Sequence, residues 1–335
     1  MTAGIRWGIL GTGAIAHCFA NSLKLLDDAT VVAVASRSLE RAQAFSQDYA
    51  DQGWALRAHG DYAALIADAS VDVVYIATTH QSHVALARMA VEQGKPVLIE
   101  KPVGLHAAEV ADLFALARDR GVFCMEAMWT RFLPAIQDLC CRLAAGEIGD
   151  LRLIQADFGI DIASTDPSHR MLDPAKGGGA LWDLGIYPVT FVRLVTGQAP
   201  SVVYAVRNPA PETGVDQDSA FLLQYPWGLM AQLFCSFRLR VPHQARLHGS
   251  AGSIIINDFF HPQGCCIQRP GEEAQDVSLP FDGPGYQFEA AEVQRCLCAG
   301  LTESPVCPLD ETLEIITCMD EIARQWGVTY PPSQV

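Results

Sequence analysis

The N-terminal third of the chain alternates short apolar, β-branched runs with stretches of helical periodicity. The runs predict six strands, namely Ile5–Leu10, Thr30–Ser36, Trp54–Ala58, Val71–Ala77, Pro96–Glu100 and Val122–Glu126. Two intervening segments carry apolar positions at helical spacing, the first made by Leu39, Ala42, Phe45 and Tyr49, the second by Val110, Leu113, Phe114 and Ala117. We expect Ser38 to cap the first helix and Gly121 to end the second. This pattern is typical of βαβ units, so residues 1–125 are predicted to form a doubly wound parallel sheet.

From residue 126 onward the pattern changes to strands that follow one another with turns between them. The predicted strands are Leu151–Asp157, Ser201–Arg207, Ala220–Tyr225, Leu229–Phe237, Ala245–Gly249 and Ser253–Asn257. A helix from about Asp310 closes the chain. Residues 126–335 are therefore predicted to form an α/β domain with a predominantly antiparallel, open-faced sheet. A sheet face without helices on it would bury itself against another copy, so we expect a homodimer through this sheet.

Length and composition narrow the class of protein. A chain of 335 residues exceeds what one hydrophobic core usually covers, which agrees with two domains. A formal net charge of -15 argues against nucleic acid as a partner, because such binding neutralises phosphates with Lys and Arg. No apolar run reaches membrane-spanning length, and the apolar stretch Ile5–Leu10 runs into a glycine turn rather than a cleavage site. We therefore expect a soluble, cytoplasmic protein.

The eleven cysteines do not indicate a metal centre or a disulfide framework. They include adjacent pairs but no C-x-x-C motif, and neighbouring cysteines bridge each other poorly. His80 and His83 have no third ligand at a suitable spacing. We expect buried apolar cysteines in a reducing compartment and no bound metal.

The first strand runs directly into Gly11-Thr12-Gly13-Ala14-Ile15-Ala16, a G-x-G-x-x-A motif followed by a helix. Gly11 allows the tight turn, Gly13 lets a pyrophosphate approach the backbone, and the small Ala16 lets helix and strand pack closely. The helix N-terminus adds N–H donors and a positive dipole for the phosphates. A plain glycine turn is the alternative, but the position in the first βαβ unit favours a Rossmann dinucleotide site.

The end of the second strand distinguishes NADP from NAD. NAD-specific sites place Asp or Glu there for the ribose 2′-hydroxyl, whereas this sequence has Ala35-Ser36-Arg37-Ser38. Ser36 can donate a hydrogen bond to a 2′-phosphate, and Arg37 can pair with it. Arg41, one helical turn further on, is a second candidate cation. We predict NADP(H), with NAD as the alternative; the competing interpretation of both arginines is a solvated surface position.

Two segments carry candidate proton-transfer chemistry. Glu100-Lys101-Pro102 follows the fifth strand, at the sheet edge where open α/β folds bind ligands, and a partly desolvated Lys101 there suits proton transfer or carbonyl polarisation. Gly177-Gly178-Gly179 is followed by Asp183 and Tyr187, four residues apart and so on one helix face. An isolated tyrosine has a pKa of about 10, which a nearby lysine cation would lower. Asp183 would either orient a substrate hydroxyl or hold Lys101 protonated. A surface lysine and a structural tyrosine are the alternatives.

Together these motifs resemble the glucose-fructose oxidoreductase/inositol dehydrogenase (Gfo/Idh/MocA) family. Many members end the second motif with histidine, whereas this sequence has Tyr187. That tyrosine, with the segments 125–132 and 146–149, is similar to the dimeric dihydrodiol dehydrogenase and NADP-dependent D-xylose dehydrogenase branch. The resemblance implies Lys101 and Tyr187 as the catalytic pair, Asp183 as their partner, and hydride transfer at nicotinamide C4.

The resemblance also implies further contacts with the ligands. Thr78, His80 and His83 would follow the fourth strand near the cofactor, together with Glu100. Trp129 and Phe158 would border the substrate, although bulky aromatics are more often core residues.

The predicted activity is NADP(H)-dependent hydride transfer to or from an alcohol carbon of a sugar or a trans-dihydrodiol. A pyranose such as xylose and an arene dihydrodiol both remain open, since both stack on aromatic side chains. Operation as a carbonyl or anhydro-sugar reductase is one alternative, because direction follows the cellular NADP(H) ratio. A non-catalytic NADP(H)-binding sensor is the other, although a sensor needs no proton-transfer residues.

Overall fold

The computed structural model describes residues 4–162, 166 and 168–334 of the chain. It divides into two compact units, the first comprising Met1–Trp129, Asp282–Thr312 and Pro332–Val335, the second Thr130–Phe281 and Leu313–Pro331. The first unit therefore takes in two segments from late in the chain. The domain boundary at residues 125 and 126 stays a prediction from the sequence alone.

The first unit is built on a parallel sheet of six strands within the described residues. The strands are β1 (Ile5–Leu10), β2 (Ala29–Ala35), β3 (Arg57–His59), β4 (Val73–Ile76), β5 (Val97–Glu100) and β6 (Cys124–Ala127). Their order is β3-β2-β1-β4-β5-β6, which confirms the predicted doubly wound Rossmann sheet. β3 begins later than predicted, because the N–H of Trp54 bonds back to the carbonyl of Tyr49 and prolongs the preceding helix end.

Five helices connect these strands, and two of them test the predicted helix signals. They are α1 (Ala14–Leu23), α2 (Leu39–Ala50), α3 (Tyr62–Ile66), α4 (His83–Glu92) and α5 (Ala107–Arg120). Ser38 caps α2 by accepting the N–H of Arg41, and Gly121 ends α5 at a φ of 61°, both as predicted. The predicted α2 stripe is wrong at Leu39, which is 47% exposed, because the first helical turn lies past the edge of the core.

The second unit is built on a mixed, mostly antiparallel sheet of eight strands among the described residues. The strands are β7 (Leu151–Gly159), β8 (Val202–Pro209), β9 (Asp216–Gln224), β10 (Met230–Ser236), β11 (Ala245–Gly249), β12 (Ser253–Ile256), β13 (Gly264–Gln268) and β14 (Gln275–Ser278). Their order is β14-β13-β12-β11-β7-β10-β9-β8, and only β7 and β10 pair in parallel. The predicted antiparallel class is confirmed, while β13 and β14 were not predicted.

The remaining helices are α6 (Pro134–Ala144), α7 (Ile186–Thr196), α8 (Tyr286–Cys298) and α9 (Leu309–Gln325). A π-helical segment, Leu181–Gly185, leads directly into α7. π-helical segments are rare in proteins, and those that occur often lie at functional sites. α8 belongs to the first unit, where it packs against α1.

Two kinds of feature are absent from the described residues. Within residues 4–334, gaps aside, no helix combines the length and apolar character that crossing a bilayer requires. No cluster of three or more His, Cys, Asp or Glu side chains with metal-binding geometry occurs in the same residues.

Candidate functional site

The glycine loop between β1 and α1 has two glycines with different requirements. Gly11 has a φ of +109°, and a Cβ on it would lie 2.3 Å from the carbonyl oxygen of Ala77, so backbone geometry and packing both demand glycine. Gly13 has a φ of -82°, and a Cβ on it would meet no atom within 4 Å. Nothing in the described part of the chain therefore requires glycine at position 13. The open space beside it suits a ligand that approaches the backbone.

The N-terminus of α1 is available to an anion. Among the described residues no side chain caps it, and its first turn contains no acidic residue. Thr12, Ala14 and Ile15 lie partly or fully exposed around it, while Ala16 is completely buried against the sheet. Free N–H groups and the helix dipole at such an end favour phosphate. The residues present therefore fit the pyrophosphate of a dinucleotide.

The loop after β2 and the first turn of α2 bring hydroxyls and two arginines together, with Glu40 as the acid among residues 36–41. Ser36 is buried, and its Oγ accepts the N–H of Ser38 at 3.4 Å, while Arg37 and Arg41 are exposed. Burial raises the pKa of Tyr62, and nearby Arg37 opposes that rise. This phenol beside Arg37 was missed by the sequence reasoning, because it follows a different strand.

His83 ties the loop after β4 to the turn after β5. It is the first residue of α4 and fully buried, with Nδ1 2.8 Å from the Pro102 carbonyl oxygen and Nε2 3.1 Å from that of Thr78. The Ser82 hydroxyl donates to Oγ1 of Thr78 at 2.8 Å. His80 is also buried, its ring 5.8 Å from that of His83. The structure thus brings three predicted cofactor-loop residues, Thr78, His80 and His83, next to the turn that carries Lys101.

That turn is held by buried carboxylates. Glu100 ends β5, where it accepts the phenol O–H of Tyr75 at 2.5 Å and the backbone N–H of Lys101 at 3.1 Å. Glu126 on β6 accepts the N–H of Val103 at 2.9 Å. Lys101 itself is half-buried. Two acids thereby fix the backbone on either side of the Lys101–Pro102 peptide.

A third acid, Glu289 of α8, lies in the same interior. It is completely buried, and neither of its oxygens has a hydrogen-bond partner among the described residues. Burial, together with the charges of Glu100 and Glu126, raises its pKa well above the ordinary value. Burial and the Glu100 charge likewise raise the pKa of Tyr75. Burial therefore favours the neutral form of Glu289, and the raised pKa of Tyr75 keeps its phenol protonated at pH 7 and able to donate.

The aromatic residues of this unit include one predicted to border the substrate. Trp129 is 6% exposed and stacks on Tyr286, with ring centroids 4.7 Å apart and planes 22° from parallel. Tyr286 begins α8 and was not predicted. Trp129 and Tyr286 are far apart in the sequence, so no local pattern could indicate that their rings stack.

In the second unit, Asp183 lies in the π-helical segment and Tyr187 in the first turn of α7. Asp183 is 6% exposed and pairs with Arg170, the two side chains approaching to 3.6 Å. Arg170 was not anticipated, since it comes from a short 3-10 turn upstream of the glycine run. The guanidinium favours the ionised form of Asp183.

Two of the three glycines before Asp183, Gly178 and Gly179, pack against protein atoms. A Cβ on Gly178 would lie within 3 Å of the backbone of Arg170, Met171 and Asp173, and one on Gly179 would lie 2.3 Å from Asp216 Oδ1. The expected approach of this loop to a ligand stays a prediction. Close packing inside the unit is a sufficient reason for two of its glycines.

Tyr187 stands against an aromatic cluster formed by Phe158, His243 and Phe260. Its ring meets Phe158 edge-on at 5.2 Å, and Phe158 stacks on Phe260 at 4.6 Å and contacts His243 at 4.7 Å. The ring of His243 is fixed by its Nε2, 2.7 Å from the Gly159 carbonyl oxygen. Phe158 and Tyr187, predicted separately, are thus neighbours, while His243 and Phe260 were missed by the sequence reasoning.

Comparison with known proteins agrees with both units. Residues 5–128 match the oxidoreductase family with an NAD-binding Rossmann fold (GFO_IDH_MocA), and residues 136–255 match the GFO/IDH/MocA C-terminal domain. Trans-1,2-dihydrobenzene-1,2-diol dehydrogenases of Homo sapiens and Mus musculus are 38% and 39% identical to this chain, and each comparison covers 98% of both proteins.

Solved structures show the same fold. A 3-ketoreductase from Actinomadura kijaniata, in complex with NADP and TDP-benzene, superposes with a TM-score of 0.85 at 25% identity, over 96% of this chain and 97% of that one. Aldose-aldose oxidoreductase from Caulobacter crescentus gives a TM-score of 0.87 at 22% identity, over 98% and 100%. This chain belongs to the Gfo/Idh/MocA family and is an NAD(P)-dependent oxidoreductase related to the dihydrodiol dehydrogenases.

Proposed function

We propose that this enzyme oxidises a secondary alcohol of a trans-dihydrodiol or a cyclic sugar, with NADP+ as the hydride acceptor. The observation that carries the proposal is the aromatic cluster of Phe158, His243 and Phe260 against the Tyr187 ring. An aromatic, largely apolar wall beside a phenol suits a ring substrate that presents a hydroxyl to that phenol. The full-length similarity to dihydrodiol dehydrogenases makes the dihydrodiol the first substrate to test.

The proposed mechanism assigns one task to each predicted catalytic residue. Tyr187, as its phenolate, takes the proton of the substrate hydroxyl and becomes the neutral phenol. Lys101 is the cation that the family resemblance assigns to this phenol, whose pKa a nearby positive charge would lower. Asp183, ionised beside Arg170, orients the substrate through a hydrogen bond. When bound, NADP(H) accepts or supplies the hydride at nicotinamide C4.

A spectrophotometric screen tests the activity. The purified protein is incubated with NADP+ and a panel of trans-dihydrodiols and pyranoses that includes xylose, and NADPH is followed by absorbance. We expect turnover with the wild type and none with Lys101→Met, which should still bind NADPH. Tight NADPH binding without turnover of any panel member would instead support the sensor.

Carbonyl reduction with NADPH is the second candidate function. The 3-ketoreductase with a TM-score of 0.85 favours it, since that enzyme shares the fold at 25% identity. The same residues would serve, with Tyr187 donating the proton. The screen therefore includes NADPH with cyclic ketones and an anhydro-sugar, and the ratio of the two initial rates assigns the preferred direction.

For the cofactor, we propose NADP(H) over NAD(H), with Thr12, Gly13, Ala14 and Ile15 around the pyrophosphate and Ser36 and Arg37 at the 2′-phosphate. Arg37→Ala should weaken NADPH binding about tenfold or more while changing NADH binding little, because one charge-assisted pair is lost. Arg41→Ala decides whether the second arginine takes part. Arg120→Ala, at the exposed end of α5, is the control for charge loss alone. Equal losses for both cofactors in Arg37→Ala would contradict the assignment.

Gly13 offers an independent test of the same site. Since a Cβ there meets no protein atom and φ is ordinary, Gly13→Ala should leave the melting temperature unchanged. It should weaken NADPH binding by about tenfold, because the methyl group occupies the space of the pyrophosphate. Unchanged NADPH affinity in this variant would remove the pyrophosphate from this loop.

We also propose that a second copy of the chain covers the outer face of β8, β9 and β10. That face carries exposed apolar side chains interrupted by the exposed Gln224 and Gln232: Tyr204 and Val206 are 62% and 68% exposed, Met230 is 44% exposed, and Leu222 and Phe234 lie half-buried between them. A sheet face of this kind can pack against the same face of a second copy across a two-fold axis. Light scattering should give a dimer for the wild type and a monomer for Tyr204→Glu with Val206→Glu. A monomeric wild type would contradict this.

A further inference from the structure

Asp216 connects the sheet of the second unit to the segment that carries Asp183. It is the first residue of β9 and only 1% exposed. Its Oδ2 accepts the backbone N–H of Leu181 at 2.7 Å and the hydroxyl of Ser219 at 2.7 Å. Leu181 begins the π-helical segment, and an N–H at the start of a helix needs an acceptor from outside that helix. A strand side chain thus caps the segment that bears a proposed catalytic acid.

The other oxygen of Asp216 faces the glycine loop. A Cβ on Gly179 would lie 2.3 Å from Oδ1, and Gly179 adopts a φ of +126°, which side-chain-bearing residues rarely adopt. The carbonyl of Gly179 in turn accepts the N–H of Asp183 at 3.3 Å. Oδ1 has no hydrogen-bond partner among the described residues. The chain of contacts therefore runs from the carboxyl group through Gly179 to the backbone of Asp183.

A purely structural cap would not need a buried acid. The single hydroxyl of Ser or Thr caps a helix equally well, and desolvating a carboxylate costs free energy. Burial raises the pKa of Asp216, against the hydrogen bonds from Ser219 and Leu181. What the carboxyl group adds is geometry: it holds Leu181 with one oxygen and limits Gly179 with the other. Its own position is set by β9, which pairs with β8 and β10 on both sides.

We infer that Asp216 is a positioning residue for the proposed reaction, because it fixes the backbone of Gly179 and Leu181 and thereby the side chains of Asp183 and Tyr187. Asp183 follows Leu181 by two residues, and Tyr187 lies in the next turn. A displacement of about 1 Å at a reacting group can lower a rate about a hundredfold. The inference rests on the proposed function, and it predicts a loss of turnover without a loss of cofactor binding.

Three variants of β9 separate positioning from general stability. Asp216→Ala removes both contacts. Asp216→Asn keeps an oxygen for the Leu181 N–H and the Ser219 hydroxyl, and fills the space next to Gly179. Leu223→Ala, at a 1% exposed position of the same strand, lowers stability without touching the glycine loop, so it is the matched control.

Turnover and NADPH affinity are measured for all three variants with the substrate that the screen identifies. Asp216→Ala should lose about ten- to a hundredfold in kcat, with NADPH affinity within about twofold of the wild type, since the proposed cofactor residues belong to the first unit. Asp216→Asn should recover most of the lost kcat. An unchanged kcat in Asp216→Ala, or an equal loss in Leu223→Ala at a matched melting temperature, would overturn the inference.

Amide hydrogen exchange gives a readout that needs no substrate. The Leu181 and Asp183 amides should exchange at least about tenfold faster in Asp216→Ala than in the wild type, but not in Asp216→Asn or Leu223→Ala. Unchanged exchange in Asp216→Ala would refute the anchoring itself. A wild type without turnover would count against the proposed function, whereas normal wild-type turnover with undiminished activity in Asp216→Ala would count against Asp216 alone.

Discussion

The two segments that carry the proposed catalytic groups are both fixed by buried carboxyl groups, but the number of acids differs. In the first unit, Glu100 and Glu126 accept backbone N–H groups on either side of Pro102, and a third acid, Glu289, lies in the same interior. In the second unit a single acid, Asp216, accepts the N–H of Leu181. In both units the buried acids accept hydrogen bonds from backbone N–H groups and not from the side chains proposed to be catalytic.

The difference has a consequence for pH dependence. Three buried carboxyl groups in one interior disfavour full ionisation more than a single one does, because each raises the cost of charging the others. Glu289, whose oxygens have no hydrogen-bond partner among the described residues, is the acid that we expect to keep its proton most strongly. The segment of Lys101 is therefore expected to respond to pH more strongly than that of Tyr187.

The largest expected effect comes from removing the proposed acid–base groups themselves. Tyr187→Phe removes one oxygen and should lower kcat by about a hundred- to ten-thousandfold, since a positioned proton-transfer group contributes that much. Its buried ring keeps the contacts with Phe158 and Phe260, so the melting temperature should hold. Steady-state kinetics with NADP+ and the identified substrate check this. Retained activity would leave Tyr187 as a wall residue only.

The next effect concerns Glu289 and the stability of the first unit. Its folded-state pKa lies above its ordinary value of 4.5, so the folded protein holds this proton more tightly than the unfolded chain. Its contribution is complete below about pH 4.5 and is lost as pH rises toward the folded pKa. The glutamine of Glu289→Gln needs no proton to be neutral. The free energy of unfolding of this variant should therefore rise relative to that of the wild type by up to about 1.4 kcal/mol for each pH unit above 4.5.

Glu292→Gln on the same helix is the matched control with the opposite sign. Burial opposes ionisation there, but hydrogen bonds from Arg295, Ser304 and Cys296 outweigh it and lower the pKa of Glu292. This variant should therefore be less stable than the wild type by an amount that is already complete at about pH 4.5 and stays constant above it. Urea unfolding at about pH 5, 6, 7 and 8 separates the two. Parallel curves for Glu289→Gln and the wild type would contradict a neutral Glu289.

A smaller effect is expected for the donor to Glu100. Tyr75→Phe leaves a buried carboxylate with one donor fewer and should cost about 1.5–3 kcal/mol of unfolding free energy, the range for hydrogen bonds to charged groups. Tyr49→Phe is the control, because that buried phenol has no carboxylate as a hydrogen-bond partner within the described part of the chain. Its oxygen lies 3.1 Å from Nδ1 of His17 and 3.3 Å from the backbone carbonyl oxygen of His17. Its loss should be about 1 kcal/mol. Equal losses would show that Glu100 gains nothing from Tyr75.

The smallest effect should come from Ser219→Ala. This change removes one donor from Asp216 Oδ2 but leaves the Leu181 N–H in place, so about 1 kcal/mol of stability should be lost. Turnover should fall much less than in Asp216→Ala. Denaturant unfolding and kcat together check this, and a rate loss as large as that of Asp216→Ala would move the positioning role from the carboxyl group to the hydroxyl.

The sequence predicted the Rossmann sheet well, since buried parallel strands are continuous apolar runs that stand out from the helices between them. It failed at the edge of the second sheet, where β13 and β14 contain Gly264, two cysteines and mostly polar residues without clear alternation. The π-helical segment was also not predicted, because its conformation depends on Asp216, 35 residues downstream of Leu181.

For the candidate site, motifs identified the groups proposed to touch ligand, while their supports stayed hidden. Glu289 and Asp216 look like surface acids in the sequence, and only tertiary packing buries them. Arg170, Tyr75, His243 and Phe260 were missed for the same reason: each meets its partner through a loop or a neighbouring strand. Local patterns indicate chemistry at glycine turns and strand ends, but they carry no information on which distant side chains lie behind them.

A single-turnover experiment tests the central claim most directly. Wild type, Lys101→Met and Tyr187→Phe are each mixed in excess with NADP+ and the best diol or sugar of the panel, and NADPH formation is followed by absorbance. We predict one equivalent of NADPH from the wild type and rates lowered at least about a hundredfold in both variants, with unchanged NADPH affinity. Wild-type rates in either variant would contradict the proposed acid–base pair.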